Sequence, residues 1–279
     1  MPTHLETLSL HDEESGARAW LAPTRGGIVT RFEVAGVPIL YLDEGTLLDA
    51  SKKVRGGNPV LFPSPGPLAD DHFTWRGTSG AMKQHGVART RPWRVSSTGT
   101  NEATLELASD AETIEQFPWD FALRFRHVVR GRRLTIEERV ENRSRTPMPF
   151  ALGFHPYFAV TNAEKRRARI PTSATRAWDN VRKQVVPIAG PIDLGGGEVD
   201  LHLLDHGASE AALLVPGGRG VRLYASKEFR RWVVWTLPDQ DFVCLEPWTS
   251  GANALNTEED LLVLEPGESR ELSFAIEAL

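Results

Sequence analysis

The sequence predicts an all-β protein built as a large antiparallel β-sandwich. Many short segments have the length and the β-branched or aromatic content of strands, and glycine and proline separate them at close intervals. No convincing amphipathic helix is present, and strands do not alternate with helices. Because all-β sandwiches often reach this length as one unit, residues 1–279 are expected to form a single domain.

The strand-like segments follow one another along the chain. They are ARAWLA (17–22), IVTRFEVAG (28–36), VPILYL (37–42), TLELAS (104–109), FALRFRHVV (121–129), RLTIEERVEN (133–142), AALLV (211–215), VRLYAS (221–226), RWVVWTL (231–237), FVCLEPW (242–248) and RELSFAIEAL (270–279). Gly131 lies between two alternating segments and predicts a hairpin, and Gly217 and Gly218 predict a second one. NTEEDLLVL (256–264) predicts at most one helical turn.

Charge and composition exclude several classes of partner. The net charge is −5 and no long block of Lys or Arg occurs, so nucleic acid is not an expected partner. No segment is apolar enough to predict a membrane span, and the N-terminus lacks a basic-then-apolar signal pattern, so we expect a cytoplasmic protein. The single cysteine, Cys244, fits a reducing compartment. Eight tryptophans favour an aromatic-lined sugar site.

Glu246 is the first polar residue that fits poorly in its segment. Strand alternation puts Phe242, Cys244 and Glu246 on one face of DFVCLEPWT and apolar residues on the other. This pattern predicts a strand covered on both sides, with a partly buried carboxyl group at its end. Glu246 is then either half of a structural ion pair or a catalytic acid or base.

His155 lies inside FALGFHPYFAV (150–160), where nearly every other side chain is apolar or aromatic. Pro156 favours an extended conformation at His155. The imidazole is either a core histidine bonded to a backbone carbonyl or a general acid whose orientation is fixed by close packing.

Two stretches rich in glycine or proline predict loops that could carry a site. VRGGNPVLFPSPGPL contains Arg55 and Asn58, and MKQHGVARTRPW contains His85, Gly86 and Arg89. A glycine allows the backbone to approach a ligand closely. Either stretch could also be a plain connection.

No metal site and no cofactor are expected. His202 and His206 have the spacing of a helical zinc pair, but the region is β-rich, lacks the glutamate of the zinc-protease pattern and offers no evident third ligand. Cys244 has no base near it in the sequence and is expected to be a small buried hydrophobe.

Several stretches, in a fixed order, resemble the aldose 1-epimerase (mutarotase) superfamily, including its branch of hexose-6-phosphate epimerases. They are RGGNPVLFPSPG, HGVAR, GFHPYF, EVDLHLLD and CLEPWTSGANALN, followed by LEPGESRELSFAI. The resemblance covers nearly the whole chain. It implies a β-supersandwich of the galactose mutarotase type, an open sugar cleft, no metal requirement, and interconversion of the α and β anomers of a sugar.

The resemblance also implies roles for residues at matching positions. Glu246 matches the catalytic base, and His155 matches the general acid. The substrate-binding candidates in these stretches are His85, Arg55, Asp200, Arg89 and Asn58. Asp200 resembles the aspartate that holds sugar hydroxyls, and the two arginines match positions that line the cleft in the phosphosugar branch.

An acid–base pair suits the opening of a hemiacetal ring. One group removes the proton of the C1 hydroxyl while the other delivers a proton to the ring oxygen. A glutamate with its reference pKa of about 4.3 is ionised at neutral pH, and a histidine with a pKa of about 6.5 can give and retake a proton. Rotation about C1–C2 and ring closure, with the roles reversed, complete the exchange.

The residues leave the substrate and the class of protein open. The expected partner is a small-molecule sugar or sugar phosphate, bound by a monomer or homodimer. Asp70 and Asp71 lie close in sequence to Arg55 and would repel a phosphate, which favours a free aldose. A non-catalytic carbohydrate-binding protein on the same fold is one alternative. A glycoside hydrolase that uses Asp200 with Glu246 is another.

Overall fold

Strands dominate the protein in a computed structural model that describes residues 5–279. The strands are β1 (Leu8–Asp12), β2 (Ala17–Ala22), β3 (Ile28–Val34), β4 (Val37–Pro38), β5 (Val60–Leu61), β6 (His72–Trp75), β7 (Thr78–Ala81), β8 (Arg94–Thr98), β9 (Glu102–Ala108), β10 (Phe121–Arg130), β11 (Arg133–Asn142), β12 (Met148–Phe150), β13 (Gly153–Phe154), β14 (Tyr157–Ala159), β15 (Arg176–Asp179), β16 (Gln184–Pro187), β17 (Val199–Leu203), β18 (Glu210–Val215), β19 (Arg219–Ala225), β20 (Arg231–Thr236), β21 (Phe242–Trp248), β22 (Leu262–Leu264) and β23 (Ser269–Ala278). The helices are short: α1 (Glu44–Leu48), α2 (Ala111–Gln116), α3 (Asn162–Lys165) and α4 (Ala254–Thr257), with 3-10 turns at Pro23–Arg25, Ala69–Asp71 and Ala88–Thr90. Within residues 5–279 no helix has the length and apolar character that crossing a membrane requires.

Two large sheets form the framework. One has seven strands in the order β18-β19-β23-β11-β10-β9-β8, and the other has eight in the order β16-β15-β17-β20-β21-β13-β5, with β14 also paired to β21. A four-stranded sheet, β1-β2-β3-β4, and the pairs β6-β7 and β12-β22 accompany them. The ladders between these strands are antiparallel. The predicted all-β antiparallel fold class is confirmed.

Aromatic rings join the two large sheets. Phe154 on β13 stacks with Phe274 on β23 at a ring-centroid distance of 5.1 Å and lies 6.0 Å from Phe125 on β10. Strand alternation supplies these contacts, since Phe125 is buried whereas its neighbour Arg124 is exposed. Each buried phenylalanine contributes about 1.5–3 kcal/mol of hydrophobic stabilisation.

β21 is buried along its whole length. Val243 and Leu245 pack in the main core, while Cys244 and Trp248 belong to separate small apolar clusters. The prediction of a strand covered on both sides is therefore confirmed. Glu246 alternates along β21 with Val243 and Leu245, so its side chain lies on the opposite face of the strand, together with Cys244 and Trp248. The candidate site forms on this face.

Both predicted hairpins are present, but some boundaries differ. β10 pairs with β11 around Gly131, and β18 pairs with β19 around Gly217 and Gly218. In VPILYL only Val37–Pro38 is a strand, because Ile39 and Leu40 both donate to Phe32 O, which ends the regular pairing with β3, and Leu40 and Leu42 form only isolated bridges beyond it. The helical turn expected in NTEEDLLVL lies slightly earlier, in α4, and ends at Glu258, whose φ is 59°.

Glu138 is a buried acid outside the expected site. It lies on β11 between the core residues Ile136 and Val140, and its side chain is 1% exposed. Its carboxyl oxygens have no hydrogen-bond partner within residues 5–279. Burial raises the pKa of Glu138 well above its usual value, which favours the protonated form in the folded protein.

Replacing Glu138 by glutamine should change how stability depends on pH. A raised folded-state pKa contributes stability that is fully present below the unfolded pKa of about 4.3 and is lost as the pH rises toward the folded pKa. In that window the unfolding free energy of the wild type should fall, relative to E138Q, by about 1.4 kcal/mol per pH unit. Urea unfolding between about pH 4.5 and 7.5 measures this slope. E137Q, at the exposed neighbouring position, is the control, and parallel curves for wild type and E138Q would contradict a protonated Glu138.

Candidate active site

Glu246 forms the floor of the candidate site because β21 is an inner strand of the eight-stranded sheet. Its backbone pairs with Val233 on β20, and its side chain is 1% exposed. The indole Nε1 of Trp248, two residues further along the same face, donates a hydrogen bond to Glu246 Oε2 at 3.1 Å. The carboxyl group is therefore buried even more completely than its position at the end of a strand predicts.

His155 lies between β13 and β14, and its backbone N–H donates to Pro59 O at 3.1 Å. The imidazole stacks on Tyr157 with ring centroids 4.6 Å apart, and it meets Trp235 edge-on at 5.5 Å. His155 Nδ1 lies 3.5 Å from Glu246 Oε1 and has no hydrogen-bond partner in the described part of the chain. Aromatic packing thus holds the ring with one nitrogen facing the carboxyl group.

Backbone contacts attach the loop at 85–89 to the loop at 55–66. A Cβ atom at Gly86 would lie 2.2 Å from Phe62 O, so only glycine permits this approach. Val87 N–H donates to the same oxygen at 2.8 Å. The two loops that carry most of the substrate-binding candidates are therefore fixed relative to each other.

His85 projects from this attachment toward His155. Its Nδ1 lies 2.5 Å from Pro65 O, and because a carbonyl only accepts hydrogen bonds, Nδ1 carries the proton. The rings of His85 and His155 meet edge-to-face with centroids 5.6 Å apart. The unprotonated Nε2 of a neutral His85 is left as an acceptor for a ligand hydroxyl.

Asp200 on β17 adds an ionised carboxylate. Asn180 Nδ2 donates to Asp200 Oδ2 at 2.8 Å, and His202 Nε2 lies 3.5 Å from Oδ1. Against the upward effect of burial, His202 and Asn180 hold the pKa of Asp200 below its usual value. A carboxylate that is partly exposed in this way can accept hydrogen bonds from sugar hydroxyls.

Burial moves the pKa values of the central pair in opposite directions. It raises the pKa of Glu246 well above its usual value, and the charge of Asp200 adds to the increase while the Trp248 hydrogen bond opposes it. It lowers the pKa of His155 well below its usual value, and His85 adds to the decrease. Both pKa values therefore depart from the reference values used for the sequence prediction. These two directions favour the form in which a proton shared by the pair resides on Glu246 and His155 is neutral.

Three cations lie around the site. Arg55, Arg89 and Lys53 form no ion pair within residues 5–279. Arg89 and Lys53 line a recess of about 170 Å³. Burial lowers the pKa of Arg89 from its usual value, and its positive charge acts on Glu246 while that of Lys53 acts on His85.

The structure brings most of the sequence-predicted residues together. Glu246, His155, His85, Asp200 and Arg89 influence one another electrostatically, and Arg55 acts on the nearby Tyr157 and Cys244. Asn58 is 1% exposed, and its two amide atoms have no hydrogen-bond partner in the described residues. A substrate contact for Asn58 remains a prediction.

Sequence reasoning missed four residues of the site: Trp248, Tyr157, Trp235 and Lys53. Trp248 and Tyr157 each lie two positions after a polar site residue on a strand-like segment. Alternation places such residues on the same face, but an aromatic residue there is also what a core strand requires. Lys53 carries no sequence signal, because lysines are common in exposed loops.

The donor atoms at the central pair do not favour a metal ion. His155, Cys244 and Glu246 offer atoms within 4.8 Å of one another. Burial, however, raises the pKa of Cys244 well above its usual value and keeps it as a thiol, which is a poor metal ligand. His206 uses both ring nitrogens for other partners, so it does not form a zinc pair with His202.

This arrangement is suited to proton transfer. A carboxyl group and an imidazole that face each other away from water can exchange a proton with a hydroxyl or ether oxygen bound beside them. The partly exposed His85 and Asp200 supply hydrogen-bond partners for the rest of a small polar molecule. The aromatic faces of Tyr157 and Trp235 supply an apolar wall.

Comparison with known proteins agrees with this geometry. The family described as "Aldose 1-epimerase" matches residues 13–277. The crystal structure of the Slr1438 protein from Synechocystis sp. PCC 6803 has a TM-score of 0.96 at 37% identity, covering 99% of this chain and 96% of that chain. A galactose mutarotase-like protein from Lactobacillus casei has a TM-score of 0.81 at 22% identity, covering 98% and 100%. A Cenchrus ciliaris protein named provisionally as a glucose-6-phosphate 1-epimerase is 29% identical over 51% of this chain and 44% of its own length. The predicted family resemblance and the mutarotase type of fold are confirmed.

The imidazoles of His85 and His155 should stay neutral where ordinary histidines are protonated. Burial lowers the pKa of His85 to about 3 and that of His155 well below its usual value. Their ring carbon signals in an NMR titration should therefore change little between about pH 7.5 and 5. H85N and H155N assign the signals. A midpoint near the ordinary histidine value for either buried ring would contradict this prediction.

Proposed function

The chain belongs to the aldose 1-epimerase family, and from this premise we propose that it interconverts the α and β anomers of an aldose by acid–base opening and closure of the sugar ring. The observation that carries the proposal is the buried pair of Glu246 and His155, whose Oε1 and Nδ1 lie 3.5 Å apart. A protein that only binds sugar has no need of such a pair. Asn180 and His202 engage the two oxygens of Asp200, which supports a binding role over that of a second hydrolytic carboxylate.

One proton on the pair is enough for the whole cycle. With the closed sugar bound, Glu246 is a carboxylate and His155 an imidazolium. Glu246 takes the proton of the C1 hydroxyl, His155 gives its proton to the ring oxygen, and the bond between C1 and that oxygen breaks. The pair is now a carboxylic acid and a neutral imidazole. After rotation about C1–C2, the C5 hydroxyl returns a proton to His155, Glu246 returns one to the carbonyl oxygen, and the ring closes.

Removing either member of the pair should lower anomer exchange roughly 100-fold or more, the usual scale for a positioned proton-transfer group. The variants are E246Q and H155N, and exchange NMR on a panel of free and 6-phosphorylated hexoses measures the rate. E138Q is a matched control, because it makes the same substitution at a second buried glutamate that lies outside the site. An E246Q protein near the full rate, with E138Q also at the full rate, would contradict the mechanism.

Anomer exchange should fall at both ends of the pH scale. The active form carries one proton on the pair, so a second proton inactivates it at low pH and loss of the shared proton inactivates it at high pH. Because burial raises the pKa of Glu246 and lowers that of His155, the alkaline limb should report loss of the Glu246 proton and the acid limb protonation of His155, the reverse of the order that the reference values of about 4.3 and 6.5 give. The pH profile of kcat/KM measures both limbs, and midpoints at the reference values would contradict the two shifts.

A hexose 6-phosphate is a second candidate substrate, and the unpaired cations around the site favour it. A phosphate group in the recess beside Arg89 could accept charge-assisted hydrogen bonds from the guanidinium. Asp71 is paired with Lys83 at 2.6 Å and Asp70 is exposed, so the repulsion inferred from their sequence position loses weight.

If the recess binds phosphate, glucose 6-phosphate should exceed glucose in kcat/KM, and the advantage should shrink in salt. R89A should then cost the phosphosugar about 1.5–3 kcal/mol more than the free sugar, the scale of a lost hydrogen bond to a charged group. R76A removes an exposed arginine above the ring of Trp75 and controls for net charge. If R89A lowers kcat/KM equally for both sugars, Arg89 has a structural role or binds hydroxyl groups that the two sugars have in common.

A further inference from the structure

We propose that Trp248 is a positioning residue for Glu246, fixing one carboxyl oxygen so that the other faces His155. This inference rests on the proposed function. The indole Nε1 can only donate, and it lies 3.1 Å from Glu246 Oε2. The other oxygen, Oε1, lies 3.5 Å from His155 Nδ1. The two oxygens therefore have separate partners, and Oε1 is the one that exchanges protons.

Packing on several sides sets the direction of the indole N–H. His202 meets the indole edge-on, with ring centroids 5.1 Å apart and planes at 86°. Gly153 pairs with Trp248 across the neighbouring strands, and a Cβ atom at Gly153 would lie 2.8 Å from the indole Cδ1. Leu61 and Val233 complete a small buried cluster with Trp248. The ring is therefore confined without help from the carboxyl group.

The charges around Glu246 show why a neutral donor matters there. The titratable and charged groups that act on Glu246 or face it are Asp200, Arg89, His155, Cys244 and Tyr157. Asp200 favours the protonated acid and Arg89 favours the carboxylate. Trp248 is the one side-chain donor within hydrogen-bond distance of Glu246 in residues 5–279. Without this donor Glu246 should hold its proton more tightly.

The variant W248F keeps an aromatic ring but removes the donor. In W248F the alkaline limb of the pH profile of kcat/KM should move to higher pH by about one unit. Losing a hydrogen bond to a charged group should raise the proton affinity of Glu246 roughly tenfold or more. Its plateau kcat should fall about tenfold, because fewer molecules then carry the carboxylate. W232F is the matched control, since Trp232 is equally buried on β20 and donates to Ala208 O at 3.0 Å. An alkaline limb in W248F that matches the wild type overturns the proposal.

A direct titration of the carboxyl group separates this proposal from the proposed function. Infrared difference spectroscopy follows the band of the protonated acid, and its loss in E246Q identifies the Glu246 band. Glu138, identified through E138Q, is an internal reference whose titration should be the same in W248F and wild type. If the Glu246 band titrates at higher pH in W248F than in the wild type, but the wild type exchanges no anomers, the positioning role is retained and the proposed function is rejected. Anomer exchange with no shift of the band rejects the positioning role alone.

The variant G153A tests the packing around the indole without deleting the donor. The added methyl group should displace the indole and shift the alkaline limb and the Glu246 band in the same direction as W248F, by a smaller amount. This variant carries the test if W248F fails to fold. If G153A folds and both its alkaline limb of kcat/KM and its Glu246 infrared band titrate as in the wild type, the claim that packing positions the donor is overturned.

Discussion

The site depends above all on the burial of one carboxyl group opposite one imidazole. In surroundings of low polarity, a carboxylate facing an imidazolium is less favourable than a carboxylic acid facing a neutral imidazole. Glu246 and His155 follow this rule, because burial raises the pKa of the acid and lowers that of the base. Under the proposed mechanism the closed sugar faces the charged pair and the open chain faces the neutral pair. Exclusion of water would then lower the energy of the open-chain form relative to the closed ring.

Under the proposed function, the fold separates the groups that would transfer protons from those that would select the substrate. Glu246 on β21 and Asp200 on β17 lie in one sheet, on either side of β20, whereas Arg55 and Lys53 lie on a loop and Arg89 on a 3-10 turn. Loops tolerate substitution better than inner strands do. A change of preferred sugar could therefore arise through these cations while the geometry of the central pair is preserved. The same separation explains why relatives with different names share one fold.

Much of the fold, and the identity of the central pair, could be predicted from the sequence. β11 coincides with a predicted segment because its alternation is regular, and β2 and β21 coincide with predicted segments because they are short, mostly apolar runs. Glu246 and His155 are conspicuous as polar residues in apolar runs. Strands β15 and β16 could not be predicted, because each has four residues, and so short a segment of mixed polar and apolar residues carries little periodicity.

The electrostatics of the site could not be predicted from the sequence. The pKa of Glu246 depends on Asp200, which is distant in the chain, and on the depth of burial, which only the folded protein defines. The hydrogen bond from Trp248 was hidden for another reason: a tryptophan on a buried strand is fully explained by packing alone. Local patterns therefore identified the candidate acid–base pair but not its ionisation state.

The complete burial of β21 has a consequence for how the protein would lose the proposed activity. The strand is paired with β20 on one side and with β13 and β14 on the other, so no frayed edge exposes Glu246. Uncovering the carboxyl group requires breaking these ladders and the core behind Val243 and Leu245. Such an opening costs close to the free energy of global unfolding, so the amides of this strand belong among the slowest to exchange with solvent. Heat would then abolish the chemistry and the fold in one transition, without a partly folded but inactive stage.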